Sequence, residues 1–233
     1  METLNLSSNE ITEIVLPDSQ SQFTGLKDLN LSWNQLTDVA FLEFFPGLTG
    51  LNLSSNRLVE FALPKQLDSL IYLDLYYCGL THFSLPDGLE SLQVLSLGRN
   101  NLAEISLPAG LTNLSLILLE ENRMTSLMLP PDLTNLAALS LAGNNLTHLN
   151  IPDGSTALTS LLVNGSPLTE LVLPEELPEL TTLDIRGNRL DELTLPGSLR
   201  PRIDDGSLVL LGWFRLSDIQ YVGEPQIEIA NII

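Results

Sequence analysis

Residues 92–113 read LQVLSLGRNNLAEISLPAGLTN, and variants of this 22-residue unit fill most of the chain. Relative to Asn100, apolar residues stand eight, five and three positions before it, and two, five and seven after it. We call the Asn100 position the rung, and each unit a coil. The nine rungs are spaced by 22 residues from the second onward; in chain order they are Asn9, Asn34, Asn56, Cys78, Asn100, Asn122, Asn144, Ser166 and Asn188.

This spacing resembles the leucine-rich repeat signature L-x-x-L-x-L-x-x-N/C-x-L, over residues 1–199 and in nine copies. The unit continues as T-x-L-x-L-P, which is similar to the short repeats of bacterial surface and secreted proteins and, more distantly, of bacterial effectors. The resemblance implies a leucine-rich repeat solenoid wound as a right-handed superhelix, with a parallel β-sheet on its concave side. It implies no enzymatic activity.

The repeat also predicts this architecture on physical grounds. A single coil cannot bury its own apolar face, so neighbouring coils must stack around a shared core. The L-x-L alternation predicts short strands that pair in parallel. A buried amide is costly unless it is hydrogen-bonded, so we expect each rung asparagine to bond the backbone of its own and the next coil. Cys78 and Ser166 offer fewer bonds, and we expect local loosening at Ser166.

The second half of each coil predicts a short extended segment on the flank or convex side, which proline then ends. The P-x-x-L step is too short for more than a 3₁₀ or single α turn. The second coil departs from this pattern, and its run of phenylalanines predicts a brief helix over residues 39–45. Residues 153–157 also depart from it and predict a looser turn.

The period ends after Leu199, so we divide the chain into a repeat domain, 1–199, and a C-terminal β capping segment, 200–233. Residues 204–207 carry a turn signal. The apolar segments 208–211, 213–214, 221–222 and 227–229 predict short antiparallel strands. Their expected role is to cover the open end of the core, whose exposed backbone edge invites association.

The net charge of the chain limits the classes of partner that it can bind. Its 29 acidic and 10 basic residues give a net charge of −19, which argues against nucleic acid and anionic membranes. A cationic partner is compatible with this charge, and a solvated acidic surface is the alternative. The sequence contains no run of 18 apolar residues, so we expect no membrane span. The chain has a single cysteine, which excludes an internal disulfide. We expect a monomer.

The N-terminus starts within a repeat, with Met1 at a leucine position, and does not resemble a signal peptide. We therefore expect a fragment of a longer chain or a mature product. An extracellular or cell-surface location is favoured over a cytoplasmic one.

Positions six, four, two and one before each rung should face outward on the concave strands. One of the two tryptophans and three of the four tyrosines fall there, and exposed aromatics beside arginine and acids are typical of binding hot spots. Leu116 and Leu118 would add an apolar floor; random drift on a solvated sheet is the alternative. The predicted ligand-binding residues are Trp33, Tyr72, Asp74, Tyr76, Tyr77, Arg99, Glu120 and Glu121.

Chemistry other than binding receives little support. An acidic column stands four residues after the rungs, but single acids per coil supply too few oxygens for calcium, and His82 and His148 are too far apart to share a metal. We predict neither a metal nor a cofactor, and the chain contains no catalytic motif. The favoured function is a non-catalytic protein or peptide recognition module. The alternatives are a structural or spacer segment of a larger bacterial surface protein, and the targeting half of an effector enzyme.

Overall fold

The computed structural model of the protein describes residues 2–16, 23–59, 62–190, 193–212 and 219–222. The spacing of 25 residues between Asn9 and Asn34 predicts a slightly long linker at residues 18–22. This linker and the predicted strands 213–214 and 227–229 lie outside these ranges. Within them, the chain forms short strands, two 3₁₀ helices and one five-residue α-helix. The strands are β1 Thr3–Asn5, β2 Asp28–Asn30, β3 Gly50–Asn52, β4 Tyr72–Asp74, β5 Val94–Ser96, β6 Leu116–Leu118, β7 Ala138–Ser140, β8 His148–Asn150, β9 Ser160–Leu162, β10 Glu170–Val172, β11 Thr182–Asp184, β12 Leu193–Pro196, β13 Val209–Leu211 and β14 Ile219–Val222.

One strand from each coil joins a ten-stranded parallel sheet in the order β1-β2-β3-β4-β5-β6-β7-β9-β11-β13. The central leucine of each strand pairs with its equivalent one coil away, as Leu51 does with Leu73 and Leu73 with Leu95. The 22-residue period therefore maps onto one strand step, and the predicted solenoid with its parallel concave sheet is confirmed. The coils stay in step through Cys78, as the repeat predicts.

The core is a continuous column of the repeated leucines. Leu53, Leu75 and Leu97, three residues before their rungs, are fully buried, as are Leu58, Leu80 and Leu102 two residues after them. Burying one leucine contributes about 1.5–3 kcal/mol. Because the residues three before and two after the rung are buried in each of coils two to eight, stability is distributed along these coils.

The rung asparagines bond the preceding coil, and our prediction that they bond the next coil is wrong. Asn56 donates from Nδ2 to the carbonyls of Leu53 in its own coil and Leu31 in the coil before, over 2.8 and 2.9 Å. Its Oδ1 accepts a 2.9 Å bond from the N–H of Leu36, also in the preceding coil. The turn after each rung leaves this N–H facing the following asparagine. In a periodic sequence, the preceding and the following coil have the same residues. The sequence therefore does not show which of the two coils the asparagine bonds.

The two substituted rungs differ from each other. The Cys78 thiol is buried and lies 3.2 Å from the carbonyl oxygen of Leu53, which replaces part of the asparagine's bonding. Ser166 is also buried, but its Oγ has no hydrogen-bond partner among the described residues. Pro167 follows it, and proline lacks the N–H that this position uses in other coils, as Asn145 does toward Met124. Loosening at Ser166 remains a prediction.

The second half of the coil is extended in several places, as the alternation predicts. Strand β8 pairs in parallel with β10, and β12 pairs in parallel with β14, on the flank of the main sheet. The brief helix predicted over residues 39–45 is confirmed as a 3₁₀ helix, Ala40–Phe44. Phe45 follows this helix, is buried, and stacks on Phe23 at a ring distance of 5.1 Å. The phenylalanines of this coil therefore contribute to its core.

The C-terminal strands that the structure describes pair in parallel, so our prediction of antiparallel strands is wrong for them. Strand β13 pairs with β11, which places Leu210 opposite Leu183 and continues the main sheet into a tenth coil. The step from Leu183 to Leu210 spans 27 residues, five more than the repeat. The 3₁₀ helix Gly197–Leu199, the helix α1 Arg200–Asp204 and a turn at Gly206 occupy this longer segment. No helix in the described part of the chain is long and apolar enough to cross a membrane.

Candidate functional site

The residue immediately before each rung has a left-handed backbone, and we call these positions the rim. Glycine occupies the rim in the last three coils, at Gly143, Gly165 and Gly187, where it adopts this conformation without a steric cost. A residue with a side chain pays roughly 1–2 kcal/mol for it. The first six coils nevertheless carry such residues, with φ between 53° and 58°: Ser8, Trp33, Ser55, Tyr77, Arg99 and Glu121.

Five of these rim residues line an open cleft of 840 Å³ that runs along coils two to six. Trp33 and Tyr77 project into solvent, with 66% and 61% of their surface exposed, and the small Ser55 lies between them. Adjacent strands are about 4.8 Å apart, so the two aromatic residues stand about 10 Å apart along the solenoid.

Arg99 and Glu121 form the next part of the rim and bind each other. Arg99 Nη2 and Nε lie 3.0 and 2.9 Å from the two carboxylate oxygens of Glu121. These hydrogen bonds and the charge of Glu121 raise the pKa of Arg99. The guanidinium also lies 5.9 Å from the centre of the Tyr76 ring, a cation–π distance. Arg99 thus connects the rim to the concave sheet.

On the concave sheet, Tyr72, Asp74 and Tyr76 form a hydrogen-bonded group at the end of β4. The Tyr72 hydroxyl donates to Asp74 Oδ2 over 2.9 Å, and the backbone N–H of Tyr76 donates to Asp74 Oδ1 over 3.0 Å. Burial, followed by the charge of Asp74 and this hydrogen bond, raises the pKa of Tyr72 well above its usual value of 10.0. The phenol therefore remains a donor, and Asp74 is held in one orientation.

Glu120 completes this group from two coils away. Its carboxylate lies against Gly98, where an added Cβ would approach Glu120 Oε1 to 2.5 Å and Tyr76 Cδ2 to 3.2 Å. Glu120 Oε2 is buried and accepts no hydrogen bond from the described residues. The Glu120 carboxylate and the edge of the Tyr76 ring therefore occupy the space over Gly98, and a larger residue at this position would clash with them.

The predicted site residues all lie on the outward side of the concave sheet or on its rim, but in two groups. Trp33, Tyr77, Arg99 and Glu121 belong to the rim, whereas Tyr72, Asp74, Tyr76 and Glu120 belong to the sheet. The two groups meet where Arg99 lies over Tyr76. Leu116 and Leu118 are half-buried on β6, beside this second group.

The outward map predicted from the repeat is wrong at several small residues. Ser32 and Ser54 are buried because each hydroxyl donates to the asparagine two residues earlier, Asn30 or Asn52, and folds down onto the sheet. Asp184 is 4% exposed because Arg186 covers it with two bonds of 2.6 and 2.9 Å.

Part of the cleft was not predicted from the sequence. Arg57 and Asn101, one residue after their rungs, and Val59, three after, line it together with the rim. The map considered only positions before the rung, which belong to the strand. The residue just after the rung varies between successive coils, as Arg57, Gly79 and Asn101 do, and this variation is the sequence signal that points to these positions.

Within the described residues, the geometry offers no support for metal or nucleophilic chemistry. No group of three potential metal ligands occurs in the ranges that the structure describes. His82 and His148 are exposed, and His148 lies 3.5 Å from Glu170 on the neighbouring coil. Burial raises the pKa of the Cys78 thiol to about 12, which keeps it protonated and unreactive at neutral pH.

Comparison with known proteins agrees with this architecture. The sequence profile of the BspA type leucine rich repeat region matches residues 72–188 in six copies, and a second leucine rich repeat profile matches residues 25–40. None of the curated proteins matches the chain.

Several solved structures are similar to the chain. An internalin (inlF) from Listeria monocytogenes has 22% identity and a TM-score of 0.64, over 91% of this chain and 66% of its own. A leucine-rich repeat protein of Leptospira interrogans has 25% identity and a TM-score of 0.64, over 95% and 56%. The Arabidopsis receptor kinase HAESA, in complex with the peptide hormone IDA and the co-receptor SERK1, has 28% identity and a TM-score of 0.61, over 84% and 35%. The chain thus spans less than two thirds of the length of each.

Proposed function

Since the chain belongs to the leucine-rich repeat proteins of the BspA type, we propose that it is a non-catalytic recognition module that binds a protein or peptide along its concave face and rim. The Arabidopsis receptor kinase, whose structure contains a bound peptide hormone, is a precedent for peptide binding by this fold. The proposed binding residues are the eight aromatic and charged residues of the rim and the sheet described above.

The left-handed rim carries this proposal. Coils seven to nine use glycine before the rung, so glycine is compatible with this turn. Coils two, four, five and six instead hold Trp33, Tyr77, Arg99 and Glu121 in the same conformation, at a steric cost. Backbone strain of this kind concentrates at functional sites. A segment that served only as a spacer would have no reason to keep four large side chains at this cost.

The rigidity of the site supports the same conclusion. Trp33 and Tyr77 are attached to coils two and four of one continuous sheet, and Arg99 is already fixed by Glu121. A ligand therefore orders few side chains when it binds, which lowers the entropic cost of association. Tyrosine and tryptophan add large contact area with few rotatable bonds. Long lysine side chains, which are costly to order, are absent from the described lining of the cleft.

A phage library of random linear peptides, selected on the immobilised chain, tests the proposal. Selection should enrich peptides that lose binding to a variant carrying both Trp33→Ala and Tyr77→Ala. The matched control is Met128→Ala with Val172→Ala, which removes two exposed apolar side chains, 87% and 45% exposed, outside the cleft. Enriched peptides should bind this control like the wild-type chain. Failure to enrich any peptide, or equal binding to the Trp33/Tyr77 variant, would favour the spacer alternative.

A further inference from the structure

The two aromatic residues of the rim are separated by an interval that few peptide conformations can match. Trp33 and Tyr77 belong to coils two and four, and Ser55 of coil three lies between them in the cleft. Two strand steps place their backbones about 9.6 Å apart along the solenoid. A peptide that runs along the cleft therefore meets the second aromatic side chain about 9.6 Å after the first.

The regular peptide conformations repeat at different intervals. A polyproline II helix returns every third residue to the same side, after about 9.3 Å. A β-strand does so every second residue, at about 6.7 Å and then about 13.4 Å, so neither interval matches the aromatic pair. In an α-helix, residues seven apart share one side, at about 10.5 Å. The spacing therefore excludes a strand, and the polyproline II helix agrees with it best.

The backbone of the rim also argues against a strand added there. The N–H groups of Trp33, Ser55, Tyr77 and Arg99 each donate to a carbonyl of the following coil, over 2.8 to 3.0 Å. Addition of a strand depends on main-chain hydrogen bonds with the receiving edge, and these donors are already used. A polyproline II segment needs no such ladder, because its backbone is solvated and makes no regular hydrogen bonds.

The side chains of the cleft supply hydrogen-bond donors instead. Four donor groups in its lining bond no other described residue: the Trp33 indole, the Tyr77 hydroxyl, the Arg57 guanidinium and the Asn101 amide. The Glu121 carboxylate, in contrast, is already bound to Arg99 through both oxygens. A proline segment matches these donors, because each residue offers a carbonyl and proline has no N–H. The carbonyls of an α-helix are mostly bonded within the helix.

We propose that the cleft binds a proline-rich segment of the partner in the polyproline II conformation, with prolines three residues apart against Trp33 and Tyr77. This inference rests on the proposed function and specifies its ligand. The small Ser55 leaves space for the two intervening residues, and Arg57 and Asn101 donate to the carbonyls of the segment. Grooves lined by aromatic side chains are the usual receptors for such segments.

An NMR titration with N-acetyl-decaproline amide tests this inference. The peptide should shift the indole N–H signal of Trp33 and the backbone amide signals of Ser55 and Tyr77. The double variant Ser55→Tyr with Tyr77→Ser keeps the composition of the cleft but moves the tyrosine to about 4.8 Å from Trp33 along the solenoid. Both positions already have a left-handed backbone, so the exchange creates no new strained residue. Its affinity should fall at least about tenfold, because the aromatic spacing no longer matches the polyproline II repeat.

A second variant tests the donors separately. Trp33→Phe keeps an aromatic ring but removes the indole N–H, so it should weaken binding about fivefold, the effect of one hydrogen bond. Met128→Ala removes an exposed apolar side chain outside the described lining of the cleft and should bind like the wild-type chain. The amide spectrum of each variant reports whether it is folded.

Three results would overturn the inference: no shifts with decaproline, an equal response to a glycine–serine decapeptide, or unchanged affinity in both cleft variants. Cellohexaose is titrated in parallel, and stronger binding of this glucan would assign the cleft to a carbohydrate instead. The phage selection separates this inference from the proposed function. Enriched peptides without prolines three residues apart would reject the polyproline II ligand alone, whereas a selection without enrichment would reject peptide recognition itself.

Discussion

The side-chain oxygen of Asn100 accepts a 3.0 Å hydrogen bond from the backbone N–H of Cys78, so two neighbouring rungs are bonded directly to each other. The same oxygen accepts from Leu80, and Asn100 Nδ2 donates to Leu75 and Leu97. The asparagine that follows the cysteine rung therefore holds the backbone on both sides of it. This arrangement keeps coil four in register where the column of asparagines is interrupted.

We predict that Asn100→Ala destabilises the protein by about 3 kcal/mol or more, because it leaves several buried backbone groups without partners. Asn9→Ala should cost about 1 kcal/mol or less, because Asn9 is exposed and bonds only Leu6 and Ser7 of its own coil among the described residues. Urea unfolding followed by circular dichroism measures both. Equal losses in the two variants would contradict the assigned role of the preceding coil.

The buried thiol at Cys78 predicts a dependence of stability on alkaline pH. Its pKa is raised from 9.0 to about 12, mainly by burial. Above pH 9 the unfolded chain loses the thiol proton while the folded chain keeps it, so the unfolded state binds fewer protons and stability falls as pH rises. This contribution is fully present below pH 9 and is lost progressively between pH 9 and about pH 12.

Comparison with Cys78→Ser isolates this effect, because Tyr72 and the other titrating groups are present in both proteins. Between pH 8 and about pH 10.5, the urea midpoint of the wild type should fall further than that of Cys78→Ser, because only the wild type has the buried thiol. The midpoint of the wild type minus that of Cys78→Ser should therefore decrease. A thiol reagent at pH 8 should label the native chain slowly and the urea-unfolded chain rapidly. Rapid native labelling would show that Cys78 is accessible, contrary to its 1% exposure.

Ser166→Asn should stabilise the protein by about 1 kcal/mol or more, because an asparagine there can donate to backbone carbonyls of its own and the preceding coil. The wild-type Ser166 hydroxyl is buried and has no described partner. Ser126→Asn, at an exposed flank position, is the control and should be neutral. Hydrogen exchange over residues 163–169 should be faster in wild type than in Ser166→Asn. An unchanged midpoint and unchanged exchange would remove the predicted loosening.

The sequence was sufficient for those features that depend on the period. Leu51, Leu73 and Leu95 pair in register because equivalent positions in identical coils must coincide when the coils stack. The location of Trp33 and Tyr77 on the surface follows from the same argument. Features that break the period were not accessible in this way. The parallel pairing of β13 required five extra residues and helix α1 to be placed between Leu183 and Leu210, and local turn chemistry does not determine that path.

The left-handed backbone of the rim was also not predicted from the sequence. Bulky residues disfavour this conformation, so tryptophan, tyrosine, arginine and glutamate before a rung do not suggest it. The glycines at the equivalent positions of coils seven to nine are the clue, because they occupy one place in the repeat where a positive φ is required. The same positions hold the large side chains of the cleft, which links a backbone property to the proposed binding site.

This link leads to a prediction in which stability and binding change in opposite directions. Tyr77→Gly relieves a left-handed backbone and removes a side chain that is 61% exposed, so little packing is lost. Its urea midpoint should be equal to or higher than that of the wild-type chain, while binding of library-selected peptides should be lost. Ser8→Gly relieves the same conformation in coil one, outside the cleft, and should keep full binding.

The reciprocal change, Gly143→Ala, should destabilise the protein by roughly 1 kcal/mol, because it imposes the left-handed cost on a position with φ +68°. Gly25→Ala is its control, since no atom lies within 4 Å of the added methyl group. If Tyr77→Gly instead lowers the midpoint, the tyrosine is retained for packing. In that case, the left-handed backbone of Tyr77 does not support the proposed binding site.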